Sequence, residues 1–127
     1  MATSALVAVR TVLRHLLFVL LALCQICSAK MSLAISMICR DEEVNFRSNL
    51  HLWLGIVDYF VFMVDSRTTD QSVSAINEIL RGKTRYEVIP YEFTGFGSAR
   101  TDSLTAVWHQ YPSATHVLIA DPGLRYC

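Results

Sequence analysis

The chain has 127 residues, 11 Lys+Arg against 11 Asp+Glu and a mean hydropathy of +0.37, which is the length of a single domain. Residues 1–29 hold 21 of the 67 apolar residues, so the other 98 positions are about 47% apolar, an ordinary globular value. Residues 30–127 carry 9 basic and 11 acidic groups, net −2, which excludes a polybasic nucleic-acid module. Five Gly, three Pro and abundant Val, Ile, Leu and Phe exclude collagen-like, low-complexity and disordered classes.

Residues 1–29 read as a secretory leader. Arg10 and Arg14 come first, an apolar run from Leu16 to Leu23 follows, and Cys27, Ser28 and Ala29 form a small-residue end before Lys30. Leu16 to Ala29 gives 14 uncharged residues, short of the roughly 20 a spanning helix needs, so a cleaved signal peptide is favoured. The runner-up is a signal anchor lengthened by Val7 to Val12, with Arg10, Arg14 and His15 interrupting its apolar stretch. Either reading places the bulk of the chain in the secretory pathway, secreted or in the Golgi or ER lumen, on a membrane only if the leader stays. Removing the leader takes Cys24 and Cys27 with it, which leaves Cys39 and Cys127 and no disulfide scaffold. Cys39 is expected as a buried hydrophobe, with a bridge to Cys127 left open. No Asn-x-Ser/Thr sequon is present.

From residue 30 on, strand and helix signals alternate. Ser32 to Cys39 and Tyr59 to Val64 are unbroken apolar runs, the pattern of strands buried on both faces. Between them, Phe46, Leu50, Trp53 and Leu54 predict an amphipathic helix over residues 43–54, stopped by Gly55. A polar turn from Ser66 to Asp70 leads to a second helix with Val73, Ile76, Ile79 and Leu80 on its inner side and Gly82 at its end. Tyr86 to Pro90 is a shorter strand, Phe93 to Gly97 a loop, residues 98–110 a helix, and Thr115 to Ala120 a fourth strand followed by an Asp121-Pro122-Gly123 turn. This order predicts an α/β fold: a three-layer, Rossmann-like parallel sheet of about four strands with helices on both faces.

Ligands in such sheets sit beyond the carboxyl ends of the strands, where three of the four strands end in acids: Asp41 to Glu43, Asp65 and Asp121. Carboxylates there can accept hydrogen bonds from a ribose or hold a divalent cation against phosphates; their alternative use is to cap helices. Asp70 fits the capping role better. Gly95 and Gly97 begin a dinucleotide fingerprint, but its third position is Arg100, and no P-loop, nucleophile elbow, H-E-x-x-H or paired C-x-x-C outside the leader occurs. His51, His109 and His116 lack ligand spacing and are expected at the surface or core edge, while Trp53 and Trp108 are expected to pack.

Four segments in order resemble family 2 glycosyltransferases. Ile35 to Glu43 (ISMICRDEE) is similar to "I-S-[MV]-I-x-[KR]-N-E-E", Val64 to Asp70 (VDSRTTD) to "V-D-x-G-S-T-D", and Phe96 to Thr101 (FGSART) to "F-S-x-A-R-N". Thr115 to Asp121 resembles the strand that carries the D-x-D element. The resemblance implies the N-terminal, nucleotide-sugar-binding half of a GT-A-type domain, with Arg40, Asp41, Glu42 and Asp65 near base and ribose. It also implies Arg100 near the diphosphate and Asp121 as the first D-x-D acid and metal ligand. The reaction implied is transfer of a sugar from a UDP- or GDP-linked donor to an acceptor hydroxyl, with Mn²⁺ or Mg²⁺ holding the diphosphate. Three departures stand out: Gly123 replaces the second D-x-D acid, Arg67 stands where the family has Gly, and Thr101 stands where it often has Asn. The resemblance also implies an acceptor-binding half beyond the fourth strand, so the expectation is a truncated enzyme whose activity on its own is left open. The alternative is a non-catalytic secreted α/β binding or interaction protein.

Overall fold

The computed structural model describes residues 2–27 and 30–123. It divides into two compact units, Met1–Lys30 and Met31–Cys127. The first contains α1 (Ala2–Cys27), an apolar helix in which Ala5–Cys24, 20 residues, is long and apolar enough to cross a membrane. At 1.5 Å per residue that stretch spans about 30 Å, and a signal sequence has the same properties. Arg10, Arg14 and His15 interrupt its hydropathy without interrupting the helix. Thr11 Oγ1 donates to the Val7 carbonyl at 2.9 Å, and His15 Nδ1 lies 2.7 Å from the Thr11 carbonyl, so both side chains fold back on the helix's own backbone.

The second unit is α/β. Its elements run β1 (Leu33–Cys39), α2 (Glu43–Asn49), one 3₁₀ turn (Leu50–Trp53), β2 (Tyr59–Asp65), α3 (Ser72–Leu80), β3 (Arg85–Tyr91), α4 (Phe96–Gln110) and β4 (His116–Ala120). All pairings are parallel, in the order β3-β2-β1-β4. The two apolar runs become the central strands, buried along almost their whole length. β3 alternates exposed and half-buried positions, as an edge strand does, and tolerates Pro90 because its outer side needs no ladder donor.

Strand alternation sorts the core. Ile35, Met37, Cys39, Phe60, Phe62 and Val64 point to one face, against Phe46, Leu50, Trp53, Ile76 and Leu80 of α2, the 3₁₀ turn and α3. Ala34 and Val61 point to the other, against Val107 of α4. The chain steps from β1 outward to β2 and β3 through helices on the first face. It then returns past β1 to β4 through α4 on the second, as crossovers of one hand require. The direction of winding therefore reverses between β1 and β4.

Four expectations need correction. The helix expected over residues 43–54 breaks at Asn49, whose φ of −121° leaves the helical region, and the remainder tightens into the 3₁₀ turn. The apolar spacing at Leu50, Trp53 and Leu54 suits a three-residue period as well as a helical one. Val73 is 40% exposed, its inner place taken by Ser72 and Ala75. Trp108 is 72% exposed, because Ala99, Ser103 and Val107, at four-residue steps, form the buried stripe of α4 and Trp108 lies about 100° round from Val107. Trp53 packs as expected, and Gly55 (φ 83°) and Gly82 (φ 75°) close their segments in the left-handed conformation that favours glycine. α4 begins two residues earlier than expected, at Phe96.

Candidate functional site

The carboxyl ends of the strands form an open cleft of about 350 Å³. Arg40 and Glu42 follow β1, Asp65 ends β2 with Arg67 just beyond it, Tyr91 ends β3, and Asp121 and Gly123 follow β4. Phe93 and Phe96 complete an aromatic side, their rings 5.0 Å apart and edge to face, with Tyr91 6.4 Å from Phe93. The cleft thus straddles the β1/β4 boundary where the winding reverses, the position at which open parallel sheets bind ligands.

Of the residues singled out from sequence, Arg40, Glu42, Asp65 and Asp121 line this cleft together. Asp41 does not line it. Its carboxylate accepts from the Thr69 and Asp70 backbone N–H groups at 2.7 and 3.3 Å, which ties the loop after β1 to the loop after β2. The Thr69 amide is the main reason its pKa lies below the ordinary value. Arg100 is exposed on α4 and is not part of the cleft lining.

The tie between the two loops is reciprocal. Asp70 Oδ2 accepts from the Glu43 amide at 2.9 Å, its Oδ1 accepts from the Ser72 amide at 2.9 Å, and Ser72 Oγ accepts from the Glu42 amide at 2.8 Å. Burial pushes the Asp70 carboxyl up, but the bonds from Ser72 and Glu43 outweigh it and leave the pKa lowered. Asp70 therefore accepts from first-turn amides of both α2 and α3, a helix-end role as expected, although Glu42 and Gln71 hold the N-cap positions themselves. Arg47 adds an outer link between these helices, bonded to Glu43 at 2.9 Å and Glu78 at 2.7 Å.

Asp65 is the buried acid of the cleft, 4% exposed. Arg67 holds it on two sides: Nη2 donates to Oδ2 at 2.6 Å, Nε to Oδ1 at 3.0 Å, and the Arg67 backbone N–H to Oδ1 at 3.0 Å. These bonds lower the Asp65 pKa to about 2. Sequence spacing did not single out this pair, although an acid at a strand end with a basic residue two positions on is the signal for such a turn. The aromatic trio was also missed; Tyr91, Phe93 and Phe96 follow one another closely at the end of the third strand.

Cys39, at the end of β1, is 3% exposed, and burial pushes its thiol up to about 12, so it sits here as a neutral hydrophobe. Cys127 lies outside the described residues. His51, His109 and His116 are exposed, and among the described residues no group of three or more His, Cys, Asp or Glu is placed to hold a metal ion. Among the described residues, the donor set around Asp121 does not fit a divalent cation. Gly123 offers no side chain, and the neighbouring Asn45 donates its amide to Glu42 Oε2 at 2.6 Å. Comparisons of the chain with protein-family models, with curated proteins and with solved structures find no match.

Proposed function

We propose that residues 31–123 are the nucleotide-sugar-binding part of a family 2 glycosyltransferase-like domain of the GT-A, Rossmann-like type, delivered to the secretory pathway by α1. The observation that carries this reading is the convergence of Arg40, Glu42, Asp65 and Asp121 on one cleft at the winding reversal. They come from three of the four sequence segments that resemble the family. In this reading the buried Asp65 carboxylate accepts the hydroxyls of a ribose, Arg40 offers positive charge to the donor's phosphates, and the exposed ring of Phe96 gives a base one face to stack on.

The test is a calorimetric titration of the full chain, in detergent micelles, with UDP and GDP up to millimolar concentration, with and without Mn²⁺. Saturable binding that Asp65→Asn abolishes is the expected result. Absence of binding by the folded protein overturns the proposal. A second reading, a non-catalytic α/β binding protein, is favoured by the donor set at Asp121 and Gly123, which does not suit a metal-held diphosphate. That reading expects nucleotide binding, where it occurs, to be indifferent to Mn²⁺ and unaccompanied by sugar transfer.

A further inference from the structure

Asp65 and Arg67 differ sharply in exposure: the acid is 4% exposed, whereas the side chain of its partner is 55% exposed and lines the same cleft. A buried carboxylate must keep its donors, because an unpaired charge there is costly, whereas a guanidinium half in solvent is released cheaply. Three of the four donor contacts on Asp65 come from the Arg67 side chain and one from its backbone N–H. Both carboxylate oxygens are thus engaged from the cleft side by a group that can swing away. Only a ligand that brings two O–H or N–H donors of its own can take that place without stranding the acid. A vicinal diol is the simplest such group.

We propose that Arg67 is an intramolecular competitor for Asp65, a latch that a diol-bearing ligand must open and that sets the cleft's affinity for such ligands. The proposal rests on the nucleotide reading of the cleft. Arg67 stays attached by its backbone N–H at 3.0 Å, so opening requires only its side chain to rotate while the turn after β2 keeps its shape. The apparent affinity is then the intrinsic affinity reduced by the open fraction, and any change that raises this fraction tightens binding.

The experiment compares the full chain with Arg67→Lys, Arg67→Met and the double variant Arg67→Met/Asp65→Asn, each in micelles, by calorimetric titration with UDP and GDP. Arg67→Met is expected to bind at least about tenfold tighter than the parent, Arg67→Lys to fall between them because a point charge replaces a fork, and the double variant to lose binding. Equal or weaker binding by Arg67→Met than by the parent overturns the latch while leaving the nucleotide reading in place. Failure of every chain to bind overturns both. A second readout needs no ligand: the Asp65 carboxyl carbon, followed by NMR against pH, should titrate higher in Arg67→Met than in the parent. Identical titration in the two chains overturns the pairing itself.

Discussion

The two faces of the sheet are packed in different ways. Against α2 and α3 the strands present Phe60 and Phe62, stacked at 5.9 Å, with the Phe46 ring edge-on to Phe62 at 5.5 Å, and all three are at most 1% exposed. Against α4 they present Ala34, Ser36 and Val61, and α4 answers with Ala99, Ser103 and Val107. One face interdigitates large side chains along its centre; the other is small at its centre and carries its large residues at the border, where Tyr59 stacks on Tyr111 at 4.4 Å beside half-buried Ile89. The same period-2 alternation supplies both, so a single strand sequence specifies two packing modes at once.

The comparison breaks most readily at Phe62. Phe62→Ala removes a fully buried ring that touches two others and should cost about 3–5 kcal/mol, a large part of the roughly 5–15 kcal/mol that holds a domain together. Denaturant unfolding of the full chain, followed by the fluorescence of buried Trp53, measures it. A loss below about 1.5 kcal/mol would mean that this face collapses around the gap and does not carry the fold. Val107→Ala on the opposite face should cost about 1.5 kcal/mol, since it removes two methylene equivalents where Phe62→Ala removes a whole ring. Ser36 sharpens the contrast from the other direction. Its hydroxyl is buried at 1% exposure with no partner among the described residues, so Ser36→Ala should raise stability by about 1 kcal/mol in the same assay.

The face with the large residues is also the one that sequence made legible. Unbroken apolar runs marked β1 and β2, and Phe46, Leu50, Ile76 and Leu80 stood at helical spacing. The α4 face was harder to read: its buried stripe of Ala99, Ser103 and Val107 carries almost no hydropathy signal, so the indole of Trp108 drew the assignment inward. In the cleft, acids at strand ends were visible as a pattern, but what each acid does was not. Asp41 and Asp65 look alike in sequence; one is consumed by backbone amides of a loop 28 residues away and the other by an arginine two residues away. That division depends on how two loops meet, which no local period encodes.

Those loops give the comparison an acid limb. The Asp65 carboxyl lies at about 2, below the ordinary 3.8, so its contribution to stability is complete above about pH 4 and is lost as pH falls through about 2. Asp41, Asp70 and Glu78 are lowered too and act in the same direction. Arg67→Met removes the main cause for Asp65 alone. The gap in urea midpoint between parent and variant should therefore be present at pH 6 and narrow on approach to pH 2, whereas Phe62→Ala should show a gap that does not close. A gap for Arg67→Met that is independent of pH would mean that the pairing with the Asp65 carboxylate is not its source.

The smallest effect is expected at Trp108. With 72% of its surface in solvent and Val107 already filling the contact with the sheet, Trp108→Gln should change stability by less than about 0.5 kcal/mol. Val117 and Ile119 of β4 are 38% and 39% exposed, and strand alternation puts them on the same side of the sheet as Ala34 and Ser36, beside the part that α4 covers over β1 and β2. If that surface is open to water in solution, an outward indole has nothing to lose and the α4 face ends at its small-residue seam. A loss above about 1 kcal/mol, or a midpoint that rises with protein concentration and stops doing so in Trp108→Gln, would show the indole buried in solution. The second face would then be a layer completed from outside the seam, with Trp108 serving it as Phe62 serves the first.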